Sequence, residues 1–220
     1  MTGSQGSKPP AGTADVPSEP KEIVRRGYDA VSERYRADDD EPPEYTAWLA
    51  DLRVRLPSVA SVLDLGCGCG VPISRTLADL GHDVVGVDIS AVQVERARRL
   101  VPDARFIQAD AASLSFAPGS FDAVVCLYML IHLPHGEQQA LIRNLGTWLK
   151  PGGVLLATAG ATAWTGEAED WLGGGERMWW SHPGAETYRH WLTSAGLIID
   201  RDEFVPEGSG GHQMLMARRE

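Results

Sequence analysis

The stretch VLDLGCGCG, Val62 to Gly70, carries glycine at positions 66, 68 and 70 directly behind a short apolar run. Glycine has no Cβ, so a loop built this way lets a ligand lie against the main chain. In the dinucleotide fingerprint Gly-x-Gly-x-x-Gly such a loop aims a helix N-terminus at a pyrophosphate, but here Val71 stands where the third glycine should be. Asp64 precedes the loop, where a carboxylate repels a diphosphate and attracts an ammonium group. Asp88 closes the next apolar run, roughly 20 residues on, where a carboxylate can accept both hydroxyls of a ribose. These residues suit a nucleoside bearing an amine.

The elements that must hold them can be read from the pattern. After Pro57, short apolar runs alternate with helical ones, as in strand–helix units stacked on a mostly parallel sheet. Strands are expected at Ser61–Leu65, Asp83–Asp88, Ala104–Gln108, Phe121–Leu127 and Gly153–Thr158, with helices at Val71–Leu80, Ala91–Val101 and Gly136–Leu149. Ser90 is placed to cap the second of these helices, and Gly81 to end the first. Gly184–Ala195 reads as a last helix, followed by strands Leu197–Phe204 and His212–Arg218, a hairpin able to close the sheet edge in antiparallel sense. Before the sheet, Lys21–Ala37 and Glu44–Arg55 read as two helices. Residues 1–20 lack large apolar groups and are expected to be a disordered tail. The expected domains are thus the tail, a helical lid over 21–57, and one α/β domain over 58–220.

Composition removes several function classes. The 220 residues are 43% hydrophobic, enough for one good core, and their net charge of −10 comes without a clustered basic face. Arg96, Arg98 and Arg99 are the densest cationic group. That argues against nucleic acid or an anionic membrane as partner. The start MTGSQGSKPP lacks a signal-peptide apolar region, and no run approaches the ~18 apolar residues of a membrane span, so a soluble, cytoplasmic protein is expected. The three cysteines, 67, 69 and 126, imply no disulfide framework, and Cys67-x-Cys69 has no further ligands at zinc spacing.

Five segments in order resemble the class I S-adenosylmethionine-dependent methyltransferases of the small-molecule methyltransferase-domain type: VLDLGCGCG, VVGVDIS, FIQADAASLSF, FDAVVCLYMLIHLP and LKPGGVLLAT. The resemblance runs well from about Gly27 to Pro151 and loosely beyond. It implies a Rossmann-like, seven-stranded, mostly parallel sheet with an antiparallel terminal hairpin, helices on both faces and an N-terminal helical lid. It implies S-adenosylmethionine as cofactor and S-adenosylhomocysteine as product. Asp64, Gly66, Cys67 and Gly68 would meet the methionine end, Asp88 the ribose, and Ile89 the adenine face. Asp110 and the Ala111 amide would read the adenine edge, unless Asp110 only caps the segment after it. Leu127 would touch the cofactor from the end of the fourth strand. Where nucleic-acid amino-methylating relatives carry Asn/Asp-Pro-Pro-aromatic, this chain reads Cys126-Leu127-Tyr128-Met129. Metal-dependent relatives place carboxylates there. Leu127 offers none, so no metal is expected.

The acceptor side is read from aromatics and histidines. Trp164, Trp171, Trp179, Trp180 and Trp191 are grouped behind the fifth strand, around Gly173-Gly174-Gly175. Such walls over 159–183 suit a pocket closing on an apolar or planar molecule, or else a cluster that pins a long loop. Trp164, Trp171, Trp179 and Trp180 are the substrate-binding candidates. Tyr28 and Tyr35 of the first helix would close over the cofactor. His132, at the position where the resemblance implies a histidine beside the transferred methyl, and His182, in WWSHPG, are the candidate bases. The expected reaction is methyl transfer to a small organic acceptor, a hydroxyl of a specialised metabolite first. N- or C-methylation and a catalytically silent, cofactor-binding partner subunit stand as alternatives.

Overall fold

Val62, Leu63 and Leu65 are all fully buried, because neighbouring side chains of a strand point to opposite faces and both faces of this sheet are covered. The computed structural model describes residues 19–208 and 210–220. Its strands are β1 (Ser61–Leu65), β2 (Asp83–Asp88), β3 (Arg105–Gln108), β4 (Phe121–Cys126), β5 (Leu149–Gly160), β6 (Trp164–Ala168), β7 (Met178–His182), β8 (Leu197–Glu207) and β9 (Gly210–Arg219). The main sheet has the order β3-β2-β1-β4-β5-β9-β8. β1 to β5 are parallel, and β9 joins β5 and β8 in antiparallel sense. The strand order reverses between β1 and β4, which opens a crevice at the carboxyl ends of those strands.

The helices are α1 (Glu19–Tyr35), α2 (Pro43–Arg53), α3 (Ile73–Asp79), α4 (Ala91–Leu100), α5 (His135–Trp148) and α6 (Ala185–Ser194). On one sheet face Leu141 and Leu145 of α5 and Tyr188 of α6 pack against Leu63, Leu65 and Val124. On the other, Trp48 and Leu52 of α2 and Leu77 of α3 pack against Val62, Val84 and Met216. Each fully buried aliphatic side chain contributes about 1.5–3 kcal/mol. Ser90 caps α4 by accepting the Gln93 amide at 3.1 Å. Gly81, with φ of 82°, follows α3.

Four features differ from the sequence reading. β5 begins at Leu149 instead of Gly153, since Leu149 pairs with Phe121 ahead of a register shift in β4. The aromatic segment over 159–183 is itself folded: β6 and β7 form a separate antiparallel hairpin, joined through a turn in which Gly173 and Gly175 take positive φ. Trp191 belongs to α6 and packs edge-on against Tyr188, apart from the other tryptophans of that group. The expected tail falls largely on residues 1–18, outside the described residues, and Glu19 and Pro20 already belong to α1.

Candidate functional site

The glycine loop hangs on β2. The amides of Gly66 and Cys67 both donate to the Val87 carbonyl, at 2.8 and 3.0 Å. Gly66, Gly68 and Gly70 have φ of 73°, 54° and 79°, a region costly for residues with a Cβ. A Cβ on Gly68 would meet no atom within 4 Å, so the bare main chain faces open space.

That space is a partly open cavity lined by Tyr28, Tyr35, Gly66, Gly68, Asp88, Ile89, Asp110, Ala111, Leu127 and His132. Asp64 and Cys67 line a smaller adjoining cavity that shares Tyr35, Gly66, Gly68 and Leu127 with the first. The residues expected around a cofactor therefore converge on one cleft at the switch point of the sheet.

Its electrostatics centre on two carboxylates, Asp64 buried and Asp88 half-buried. Asp88 accepts the Gly68 amide at 2.9 Å and the Ser90 amide at 2.8 Å, yet burial still pushes its pKa up to about 6. Asp64, 3% exposed, accepts the Ser74 hydroxyl at 2.6 Å, and burial pushes its pKa up to about 7. Two acids, neither of them in a salt bridge among the described residues, suit a positively charged ligand. The Cys67 thiol is pushed up by burial and is a poor nucleophile. Asp110 caps the segment after it. One oxygen accepts the Ala112 amide at 2.9 Å as a cap, and the other faces the cleft, where Lys21 reaches it at 2.5 Å.

His132, 6% exposed, is held at both nitrogens. Nδ1 lies 2.8 Å from the Trp179 carbonyl, which can only accept, so Nδ1 carries the proton. Nε2, 3.0 Å from the Tyr28 hydroxyl, therefore accepts from it. Burial lowers the imidazole pKa to about 4, so it is neutral at pH 7. His182 does not line the cleft. It is half-buried against Gly160, where a Cβ would fall 2.0 Å from its Nδ1.

None of Trp164, Trp171, Trp179 and Trp180 lines either cavity. Trp171 packs against Tyr28 and Tyr35, with ring centroids 5.2 and 5.6 Å apart, and Trp180 lies 5.9 Å from His132 and 6.0 Å from Trp164. They form a layer behind the cavity wall. The sequence reading missed Lys21, Gln93, Tyr128 and Met129, which also line the cleft. Only Gln93 leaves a trace in the sequence, as a polar residue on the buried side of α4. Among the described residues no three His, Cys, Asp or Glu side chains gather as metal ligands, and no helix is long and apolar enough to cross a membrane.

The methyltransferase-domain family matches residues 62–153. The 2-methyl-6-phytyl-1,4-hydroquinone methyltransferase of Synechocystis sp. is 43% identical over 105 residues, 46% of this chain and 32% of that protein. The ubiquinone biosynthesis O-methyltransferase of Xanthomonas campestris pv. campestris is 40% identical over 109 residues, 47% of this chain and 44% of that protein. The chain thus spans less than half the length of these curated relatives. The crystal structure of magnesium protoporphyrin IX methyltransferase from Synechocystis with bound SAM superposes with a TM-score of 0.69, at 23% identity, over 94% of this chain and all of that one. Residues 62–153 are thus similar to the methyltransferase-domain family, and the sheet order gives the chain the fold of the methyltransferase structure on which it superposes.

Proposed function

We propose that the chain binds S-adenosylmethionine in the cleft and transfers its methyl group to a small organic acceptor, a hydroxyl being the expected atom. The observation that carries this reading is the convergence of the open Gly68 backbone, Asp88 and Asp110 on one cavity, with the buried Asp64 lining the cavity beside it. The residues fit the cofactor as a cationic nucleoside. Asp88 would hold the ribose, Ile89 and Asp110 the adenine, and Asp64 with the Gly66–Gly68 loop the ammonium end. When bound, S-adenosylmethionine supplies a methyl on a sulfonium, ready for in-line displacement by the acceptor.

The chain's own residues contribute alignment and exclusion of water. Tyr28 and Tyr35 close α1 over the cleft, backed by Trp171. A proton leaving the acceptor can reach His132 Nε2 only by exchange through the Tyr28 hydroxyl that occupies it. His132 is a weak acceptor of that proton, because burial disfavours the imidazolium, so the reaction draws more on alignment than on a strong base. His182 acts as base only by way of intervening groups. The hydroquinone and ubiquinone methyltransferases to which the chain is similar support a ring-bearing acceptor.

Calorimetry with S-adenosylmethionine, S-adenosylhomocysteine and NAD tests the cofactor. Binding of NAD in preference to the other two ends this reading. Mass spectrometry of products from candidate acceptors then separates O- from N- and C-methylation, and a chain that binds cofactor but methylates nothing is a silent partner subunit.

A further inference from the structure

We propose that the methyl acceptor binds in the groove walled by Tyr45 of α2, Tyr128 behind β4 and Val205–Glu207 of β8, and that it is a flat, ring-bearing molecule. This rests on the cofactor reading above and moves the acceptor away from the tryptophan hairpin.

The first argument is continuity. The groove shares Tyr35 and Tyr128 with the main cavity, and Arg36 and Tyr45 with the cavity beside Asp64 and Cys67. Asp110 and Lys21 line only the main cavity, at its other end. An acceptor in the groove would therefore approach the cleft at the loop end, where a sulfonium between ribose and ammonium must lie, and not past the adenine.

The second is that the remaining approach over α1 is closed. Lys21 bridges Asp110 and Glu137, Asp29 accepts the Ser90 hydroxyl at 2.6 Å, and Ser32 donates to Gln93 at 2.8 Å, pinning α1 along its length. The hairpin covers it from outside: a Cβ on Gly27 would fall 2.6 Å from the Met178 methyl.

The third is Tyr128. It is a non-glycine residue with φ of 57°, a strained conformation that persists only where the surroundings impose it and that concentrates at functional sites. Its amide donates to Thr158 Oγ1 at 2.6 Å, and its ring is wedged between Tyr45, at 6.2 Å, and His212, at 5.0 Å. The Arg36 guanidinium lies over the Tyr35 and Tyr45 rings, at 5.7 and 5.1 Å, with its charge matched by Asp40 at 2.8 Å. It therefore braces the rings and leaves the groove wall aromatic, with Pro42, Val205 and Pro206 completing it and exposed Glu44 and Glu207 on its rim. Aromatic faces with a polar rim select planar rings.

The test is fluorine-detected NMR binding of 4-fluorophenol and 4-fluorocatechol to the full chain with saturating S-adenosylhomocysteine. Two plugs from opposite walls, Val205→Trp and Glu44→Trp, are expected to weaken probe binding about fivefold or more. Folding is verified by S-adenosylhomocysteine affinity within about twofold of the unmodified chain. Trp164→Ala, in the hairpin, is expected to leave probe binding unchanged. Plugs that leave binding intact, a Trp164→Ala variant that loses it, or no probe binding at about 10 mM while S-adenosylhomocysteine binds would each overturn the groove. Failure of S-adenosylhomocysteine itself to bind would remove the cofactor reading and the groove with it.

Discussion

The Tyr28 hydroxyl and His132 Nε2 meet at 3.0 Å across 104 residues of sequence, and the other ring nitrogen is tied to the Trp179 carbonyl. One imidazole thus joins α1, the end of β4 and the aromatic hairpin. His132→Ala leaves a hydroxyl and a carbonyl without their partner and is expected to cost about 1–3 kcal/mol, against a smaller loss for Tyr28→Phe. The pH dependence has a definite sign. The folded pKa, about 4, lies below the ordinary 6.5, so this group's contribution is fully present above 6.5 and is lost as pH falls toward 4. Urea denaturation of His132→Gln is expected to lose that part of the slope between pH 6.5 and 4.

Asp64 and Asp88 have the opposite sign. Their folded pKa values, about 7 and about 6, lie above the ordinary 3.8, so the stability they confer is full below 3.8 and is lost as pH rises through those values. Asp64→Asn, which keeps an acceptor for Ser74, is expected to raise Tm by about 3–6 °C at pH 8 and by little at pH 4. A cationic ligand reverses the preference for the protonated form. S-adenosylmethionine is accordingly expected to bind tighter from pH 5 to 8 and to release protons at pH 6, measurable by calorimetry in buffers of different ionisation enthalpy.

Asp88→Ala removes the acceptor for the Gly68 and Ser90 amides as well as the proposed ribose contact. Cofactor binding is expected to weaken by about 1.5–3 kcal/mol, read by calorimetry, with the circular dichroism spectrum unchanged. An unchanged dissociation constant would remove the cofactor assignment of this strand end.

Lys21 lines the main cavity and holds α1 to Asp110 and Glu137. Its side chain is 16% exposed, so the two ion pairs are only partly screened by water. Lys21→Met is expected to speed release of S-adenosylhomocysteine about 3–10-fold in stopped-flow chase experiments. Added salt should speed release from the unmodified chain more than from the variant.

Gly86 shows how tightly β2 supports the loop. A Cβ there would fall 2.5 Å from the Phe106 ring and 2.9 Å from Cys67 Sγ. Gly86→Ala is expected to cost about 1–3 kcal/mol in thermal unfolding, and to weaken cofactor binding because Cys67 belongs to the loop that must move.

β1 and β2 coincide with their expected boundaries, since each is a short, mostly aliphatic stretch closed by a glycine or an acid. The glycine loop, Asp64, Asp88 and Asp110 were legible for a related reason: their placement depends on which residue follows which strand, a matter of local order. The hairpin strands WTGEA and MWWSH escaped notice because neither alternates cleanly, and the three glycines between them read as a loop. β5 was read too short because Pro151-Gly152-Gly153 looks like a turn, and only its pairing across the sheet extends it.

The amino-acid sequence by itself determined the alternation of strands and helices, the bare loop and the two acids, through hydrophobic period and glycine geometry within short windows. Tertiary structure alone decided that Tyr28 occupies His132, that the tryptophans stand behind the cleft, and that the groove at Tyr45 and Tyr128 lies beside it. Those relationships join residues far apart in the chain. Their distances follow from how α1, α2 and the β8–β9 edge pack on the sheet, which no local pattern specifies.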